Sequence, residues 1–472
     1  MHIRDLSGKS ICILGYGREG QAMARALEKY APRCRIVIAD RDKELRIMNY
    51  ELRRGEKYLE NLNRFDVIIK SPGIPPKDLL TTNYKLLTSP TQIFLDSITG
   101  SGATVIGITG SKGKSTTASL LFEILNSQFS ILNSQVFLVG NIGEPAISHL
   151  EDAKTNTIFV QEMSSYQLMD LRVSPQIAVI TAFFPEHLDY HSIRPVERGS
   201  LMASHGRYTP LENYLEAKKH ITRFQTKNDI VFFQADSKEA AEIAGESAGR
   251  KIPFSKTDAP VKLDEILLKG EHNLSNIAAA YKVAMHLGSD SEQAIQTIKQ
   301  FKGLPHRLES LGVHQGIEWV NDSISTTPES AIAAIDALGE RIETIIVGGQ
   351  DRGYDFSSLT KRIKNSKIKN VILLPESGMT IGKEILKIGG EVKLFEVKNM
   401  EEAVRVAKQQ RSEIRGQNAR SFGNNSLPLE TFAEAKWGQF PIVLLSPAAP
   451  SYGHFKDFTD RGNKFKMICS LG

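Results

Sequence analysis

Short, unbroken apolar runs recur along the chain, each closed by glycine, proline or polar residues. They are Ile11-Cys12-Ile13-Leu14, Ile36-Val37-Ile38-Ala39, the apolar part of Phe65-Asp66-Val67-Ile68-Ile69-Lys70, Thr104-Val105-Ile106, Val136-Phe137-Leu138-Val139, Ile158-Phe159-Val160, Ile177-Ala178-Val179-Ile180, the apolar part of Ile317-Glu318-Trp319-Val320, Ile345-Ile346-Val347, Val371-Ile372-Leu373-Leu374 and Ile442-Val443-Leu444-Leu445. Continuous rather than alternating apolar residues predict strands buried on both faces, as in parallel sheets covered by helices. Segments with helical spacing intervene: Ala22, Ala26 and Leu27; Thr117 to Leu125; Leu215 to Ile221; and Leu274, Ile277, Ala278, Tyr281 and Met285. The class is α/β. The alternation restarts at Thr104 after Gly100-Ser101-Gly102 and again beyond Phe301-Lys302-Gly303-Leu304-Pro305-His306-Arg307. This predicts three domains, 1–101, 102–303 and 304–472. The polar stretch from Arg411 to Gly438, with Gly423-Asn424-Asn425-Ser426, is expected to be an extended or mobile loop.

A length of 472 residues suits about three domains, each able to bury a core. The net charge of +5 is spread along the chain without a basic run, which argues against a nucleic-acid partner and agrees with anionic substrates. Cys12, Cys34 and Cys469 lie far apart, without metal-ligand spacing, as small core residues of a reducing compartment. No apolar stretch approaches a membrane span, and the start Met1-His2-Ile3-Arg4-Asp5 has no signal-like run. A soluble cytoplasmic protein without membrane contact, acting as a monomer, is the expectation.

Candidate chemistry centres on Gly107-Ile108-Thr109-Gly110-Ser111-Lys112-Gly113-Lys114-Ser115-Thr116-Thr117, which reads as strand, glycine loop and helix. Backbone N–H groups of such a loop and the positive helix end form a cradle for phosphate oxygens. Lys114 can reach the outer phosphates and Ser115 can ligate Mg²⁺. The full P-loop pattern requires glycine where Ile108 stands, so this is the shorter Thr-Gly-x-x-Gly-Lys-Ser form. Other strand ends carry Gly140-Asn141-Ile142-Gly143, Gln161-Glu162 and Glu186-His187-Leu188-Asp189-Tyr190-His191. In a parallel sheet these converge on the edge that holds the phosphate loop, where Glu162 and His187 suit Mg²⁺. Asn273 and Asn276 are three residues apart on one helix, as amides for a nucleobase edge or, for Asn273, as a helix cap.

The first domain opens with Gly15-Tyr16-Gly17-Arg18-Glu19-Gly20 after a strand, and the second strand ends at Asp40. That is a dinucleotide fingerprint with an acidic ribose partner, and it marks a Rossmann-like fold without choosing the nucleotide. Ser71-Pro72-Gly73-Ile74-Pro75 follows another strand end, either a ligand site or a rigid turn. The third domain repeats the pattern at Asn321-Asp322-Ser323, Gly348-Gly349-Gln350 and Ser446-Pro447-Ala448.

In order, Thr109-Gly110-x-x-Gly113-Lys114-Ser115, Gly140-Asn141-Ile142-Gly143, Glu162-Met163-Ser164-Ser165-Tyr166-Gln167-Leu168, His187-Leu188-Asp189, His272-Asn273-x-x-Asn276, Pro305-His306-Arg307 and Asn321-Asp322-Ser323 resemble the Mur ligase superfamily. The Gly-x-Gly-Arg-Glu-Gly turn and Ser446-Pro447-Ala448 with Arg461-Gly462-Asn463 are similar to its glutamate-adding, MurD-type branch. The resemblance implies a Rossmann-like N-terminal domain, a central P-loop-type mononucleotide-binding sheet and a Rossmann-like C-terminal domain. It implies an ATP-dependent ligase of peptidoglycan precursor synthesis, with ATP and Mg²⁺ as cofactors and UDP-N-acetylmuramoyl-L-alanine and glutamate as partners. By the same resemblance Lys114, Glu162, His187, Lys218 and Asn141 are catalytic, and Ser115, Glu162, His187 and Lys218, carbamylated, hold metal. ATP would meet Gly110, Ser111, Lys112, Gly113, Lys114, Ser115, Thr116, Asn273, Asn276, Arg307 and Asp322. The UDP substrate would meet Arg18, Glu19, Asp40, Arg41, Ser71, Gly73 and Asn141, and glutamate would meet Thr326, Arg352, Ser451 and Phe458.

The chain departs from this pattern at Ile324, where the family commonly has lysine, and at Ala449-Pro450-Ser451, where proline precedes the serine expected at the glutamate side chain, while Arg352 occupies the place of a lysine or arginine that grips the incoming glutamate. These positions fall where D- and L-glutamate are told apart, and D-glutamate is the first reading. Extra length between His191 and Leu211 is expected to be a surface insertion that leaves both His187 and Lys218 in place, with Lys218 near the phosphate loop. Competing readings are an L-glutamate-adding variant, another Mur or folylpolyglutamate-type ligase, an NAD-dependent Rossmann oxidoreductase, which leaves Lys114, Glu162 and His187 without work, and a nucleotide-binding regulatory protein.

Overall fold

The computed structural model describes residues 1–79, 86–128, 133–186, 190–191, 209–268, 270–389, 392–421, 440–451 and 453–470. It divides into two compact units, Met1–Ile266 with Glu271–Phe301, and Leu267–Gly270 with Lys302–Gly472.

The first unit holds two parallel sheets. One contains β1 (Ser10–Leu14), β2 (Arg35–Asp40), β3 (Glu51–Arg54), β4 (Val67–Lys70) and β5 (Leu87–Thr88) in the order β3-β2-β1-β4-β5, with α1 (Arg18–Tyr30) and α2 (Pro90–Ile98). Ser89 caps α2 by accepting from the Gln92 N–H, and Pro90 stands at its first turn, where a missing N–H costs nothing. The other sheet contains β6 (Thr104–Thr109), β7 (Gln135–Gly140), β8 (Thr157–Glu162), β9 (Ile177–Ile180), β10 (Ile230–Gln234) and β11 (Arg250–Phe254) in the order β11-β10-β9-β6-β8-β7. Its helices are α3 (Lys114–Ser127), α4 (Ser165–Leu168), α5 (Pro210–Lys219), α6 (Lys238–Gly245), α7 (His272–His286) and α8 (Ser291–Gln300). Gly100–Gly102 separates two sheets that share one apolar core: Ile13, Met23, Phe94, Val105 and Phe159 belong to the same buried cluster. Phe94 and Phe159 meet edge to face with centroids 5.3 Å apart.

The second unit holds β12 (Glu309–His314), β13 (Ile317–Asn321), β14 (Ile342–Gly349), β15 (Asn370–Glu376), β16 (Lys393–Glu396) and β17 (Ile442–Leu445) in the order β12-β13-β17-β14-β15-β16. Only β12 is antiparallel to its neighbour among these described strands. Its helices α9 (Pro328–Leu338), α10 (Ser357–Lys364), α11 (Ser377–Ile388), α12 (Met400–Ser421) and α13 (Phe458–Ser470) cover both faces, and separate buried clusters form around Ile345 and around Trp319.

Every apolar run read as a strand is a strand. The short edge strands β3, β5 and β16 lack such runs because one side of an edge is solvated. One expectation is corrected: the first part of the Arg411–Gly438 stretch is helix, since α12 continues to Ser421. Met400, Ala403, Val404 and Ala407 bury one face of that helix and hold it to the core, and the following polar residues contain no proline to stop it. Residues 422–439 lie outside the described residues, as does most of the segment between His191 and Leu211.

Candidate active site

The phosphate loop sits between the buried strand β6 and the first turn of α3. Gly110 and Gly113 are required by geometry, with φ of +147° and +89°. A Cβ at Gly110 would come within 2.0 Å of Thr181 Oγ1, and one at Gly113 within 2.2 Å of Asn276 Oδ1. No side chain among the described residues caps α3, whose first residue is Lys114, so its N-terminal N–H groups and dipole face the loop. The Lys114 ammonium donates to the carbonyls of Gly110 at 2.8 Å and Ser111 at 2.7 Å. Ser111 is buried, and its Oγ donates to the Phe184 carbonyl at 2.7 Å. Its N–H donates to the Ala182 carbonyl at 2.7 Å. Lys112 is exposed, Ser115 is half-buried and Thr116 is buried.

Strand order brings the other polar strand ends to this loop. Glu162 closes β8, the neighbour of β6, and is 1% exposed. Its Oε1 accepts from Asn141 Nδ2 at 2.8 Å, whereas its Oε2 has no hydrogen-bond partner among the described residues. A buried carboxylate oxygen left this way is costly unless a cation completes it, so Glu162 fits a hard divalent metal. Among the described residues no group of three His, Cys, Asp or Glu side chains forms a metal cluster, and His187 lies outside the described residues. Lys218, in the last turn of α5, is 1% exposed and donates to the Gly110 carbonyl at 2.7 Å and Thr109 Oγ1 at 3.3 Å. The long segment before it therefore leaves it at the phosphate loop. Burial holds its ammonium well below the usual lysine range, and the charge of Lys114 adds to that, against Glu186 and Glu162.

Asn276 lies beside Gly113 and donates to Asn273 Oδ1 at 2.9 Å. Asn273 stands inside α7 rather than capping it, since Glu271 is at the cap position. At the first sheet, both oxygens of Asp40 accept backbone N–H groups, from Tyr16 at 2.7 Å and Asp42 at 2.9 Å, which fixes the glycine turn. Glu19 accepts from Gln167 Nε2 at 3.2 Å, and burial pushes its carboxyl up to about 7. Ser71 donates to the Gly15 carbonyl at 2.9 Å, and the Tyr190 hydroxyl donates to the Pro72 carbonyl at 2.7 Å. Arg18, Arg41 and Gly73 are exposed along this rim.

In the second unit Asp322 is buried at the end of β13 and accepts from Ser446 Oγ at 2.8 Å and the Leu308 N–H at 3.2 Å. Burial pushes its carboxyl up to about 6, against those hydrogen bonds and the charge of Arg307. Arg307 is half-buried, between His306 and Leu308, both at positive φ. Arg461 is fully buried and donates to Ser323 Oγ at 3.0 Å, the Ser323 carbonyl at 2.9 Å and the Ala449 carbonyl at 3.0 Å. It ties together the loops after β13 and β17. Ser451 is buried in the second of these, Phe458 and Thr326 are half-buried, and Arg352 is exposed with its Nε donating to Gln350 Oε1 at 3.1 Å.

Two residues at the first site escaped the sequence reading. Tyr214 lies one helical turn before Lys218, its ring centroid 4.6 Å from the lysine nitrogen and its hydroxyl 2.9 Å from Ser111 Oγ. The spacing of four between Tyr214 and Lys218 was the available signal. Thr181, which donates to the Lys112 carbonyl at 2.7 Å, carried none.

Comparison with known proteins agrees with this geometry. The Mur ligase middle domain matches residues 108–194, and the Mur ligase glutamate ligase domain matches residues 306–414. A UDP-N-acetylmuramoylalanine–D-glutamate ligase of Natranaerobius thermophilus is 30% identical, with 99% of each chain covered. A UDP-N-acetylmuramoyl-L-alanine–L-glutamate ligase of Xanthomonas oryzae pv. oryzae is 29% identical over 100% of this chain and 97% of its own. The crystal structure of a UDP-N-acetylmuramate-alanine ligase from Thermotoga maritima shares the fold at a TM-score of 0.54 and 15% identity, covering 98% of this chain and 99% of that one. The homologues and the matched domains make it an ATP-dependent ligase, and the phosphate loop at the carboxyl ends of a parallel sheet, with a buried lysine and a buried carboxylate beside it, agrees with that class. The chain belongs to the Mur ligase family.

Proposed function

We propose that the protein joins glutamate, with D-glutamate as the first reading, to UDP-N-acetylmuramoyl-L-alanine in peptidoglycan precursor synthesis and cell wall biogenesis. The observation that carries this is the gathering of Lys114, Lys218 and Glu162 around the Gly110–Ser115 loop, in a chain similar over its whole length to ligases of that name. The substrate carboxylate takes the γ-phosphoryl group of ATP, releasing ADP. The glutamate amine then attacks the acyl phosphate, the C–N bond forms, and phosphate and a proton leave. Such a transfer between anions rests on charge neutralisation and positioning. Lys114 neutralises the outer phosphates, the N–H groups from Gly113 to Thr116 cradle them, and Asn141, bonded to Glu162, orients the reacting carboxylate. Asn273, Asn276, Arg307 and Asp322 contact ATP, Asp322 at its ribose.

Ser115, Glu162, His187 and Lys218 are the proposed holders of Mg²⁺, with Lys218 as a carbamate. Mg²⁺ supplies positive charge against the phosphate oxygens. The lowered lysine pKa supports the carbamate, because a neutral amine adds to CO₂ and releases a proton on forming the N–C bond. Arg18, Glu19, Asp40, Arg41, Ser71 and Gly73 take the UDP part, and Thr326, Arg352, Ser451 and Phe458 take glutamate. The working domains are 1–101, 102–303 and 304–472, one sheet to each. A monomer is the proposed state. No helix of the described residues is long and apolar enough to cross a membrane. The UDP-linked substrate and ATP support a cytoplasmic site of action.

The relatives include ligases named for either enantiomer of glutamate, and Ile324 and Pro450 stand where the choice is made. The test measures phosphate release with UDP-N-acetylmuramoyl-L-alanine, ATP and Mg²⁺, adding D- and L-glutamate separately. Release with D-glutamate is expected. Release with L-glutamate alone reverses the enantiomer, and release with neither refutes the ligase reading.

A further inference from the structure

Glu186 places a carboxylate among the cations that belong to the phosphates. Its Oε2 lies 3.5 Å from Lys112 Nζ and its Oε1 3.8 Å from Lys114 Nζ. Its Oε1 also accepts from the Tyr214 hydroxyl at 3.0 Å. The segment that delivers it is fastened to the loop itself: Phe184 exchanges two hydrogen bonds with Ser111 Oγ, and the Ala182 carbonyl accepts from the Ser111 N–H. The carboxylate is thus held against the loop rather than left to swing in solvent, with 19% of its side chain exposed.

An anion fixed beside Lys112 and Lys114 does two things. It balances their charge when no phosphate is present, and it opposes any further anion brought to the same cations. A triphosphate without a divalent cation adds several negative charges at this point. A triphosphate carrying one brings its own positive charge and meets less opposition. We infer that Glu186 makes nucleotide binding selective for the metal complex of ATP, by occupying the phosphate lysines and repelling the metal-free nucleotide. This rests on ATP occupying the Gly110–Ser115 loop, and it adds a residue that the family resemblance did not assign.

The experiment measures ATP affinity by titration calorimetry on the full-length protein, once with excess Mg²⁺ and once with EDTA. Glu186→Gln keeps an acceptor for Tyr214 while removing the charge. It should bind metal-free ATP about tenfold more tightly than the parent, a change of about 1.4 kcal/mol, and change little toward Mg-ATP. The ratio of the two dissociation constants therefore falls about tenfold. Glu186→Ala is a second neutral variant and should show the same fall, so one of the two folding, as judged by thermal melting, is enough. Glu186→Asp keeps the charge and should hold the ratio within about twofold of the parent. A parent-like ratio in the neutral variants, or an equal shift in both conditions, overturns the role of Glu186 while leaving the nucleotide site intact. A parent protein that binds no ATP in either condition overturns the nucleotide reading, and this proposal with it.

Discussion

Replacing Gly113 by alanine is the sharpest test of how the phosphate loop is held. Gly113 stands at φ +89° and ψ −17° at the start of α3, a left-handed conformation that costs an L-residue about 1–2 kcal/mol. The added Cβ would lie 2.2 Å from Asn276 Oδ1, so Asn276 must rotate away. Rotation breaks its 2.9 Å bond to Asn273, worth about 1 kcal/mol. The total is about 2–3 kcal/mol. At roughly 2–4 °C per kcal/mol for a domain of this size, the melting temperature falls by about 4–12 °C. The same displacement moves the N–H groups that cradle phosphate, so ATP affinity falls by about tenfold or more. Differential scanning calorimetry and ATP titration read the two effects. A double variant with Asn276→Ala separates strain from obstruction: it lacks the obstructing side chain, so it should be more stable than the two single losses added together by about 1 kcal/mol. An unchanged melting temperature and ATP affinity in Gly113→Ala, or strict additivity in the double variant, would refute the reasoning.

Two further outcomes concern the second unit. Asp322 has a folded pKa of about 6, above the roughly 3.9 of an unfolded aspartate, so its share of stability is full below pH ~4 and is lost as pH rises through about 6. The difference is about 3 kcal/mol, and urea denaturation from pH 4 to 7 should show Asp322→Asn losing less stability across that window than the parent; parallel curves would count against it. Arg461→Lys should lower stability by about 2–4 kcal/mol in the same assay, because one ammonium cannot span the Ser323 and Ala449 carbonyls and leaves a buried acceptor unpaired. An unchanged urea midpoint would show that the guanidinium fork is not what joins those loops.

Most of the architecture was legible in the chain because a strand buried on both faces must be apolar throughout, and a phosphate loop must place glycines where no Cβ fits. Ile106, Ile158 and Ile177 announced the central sheet, and Gly110 and Gly113 announced its loop. The half-solvated edge strands and the extension of α12 to Ser421 were not legible, since local residues there agree with more than one structure. Lys218 is the clearest case of what resemblance indicated and packing alone explains. On sequence it is one of two adjacent lysines in an amphipathic helix, and nothing local tells it from Lys219. In the fold Lys219 reaches Glu216 and Glu242 at 2.8 Å each, while Lys218 is sealed against Gly110 and Tyr214. The sequence by itself determined the α/β class, the order of the strands along the chain and the glycine loop, because backbone sterics and burial act on neighbouring residues. Only the tertiary structure decided that Tyr214 and Lys218 are sealed against the loop and that Glu186 faces Lys112 and Lys114, because such contacts between residues far apart in the chain depend on how the packed elements aim their side chains.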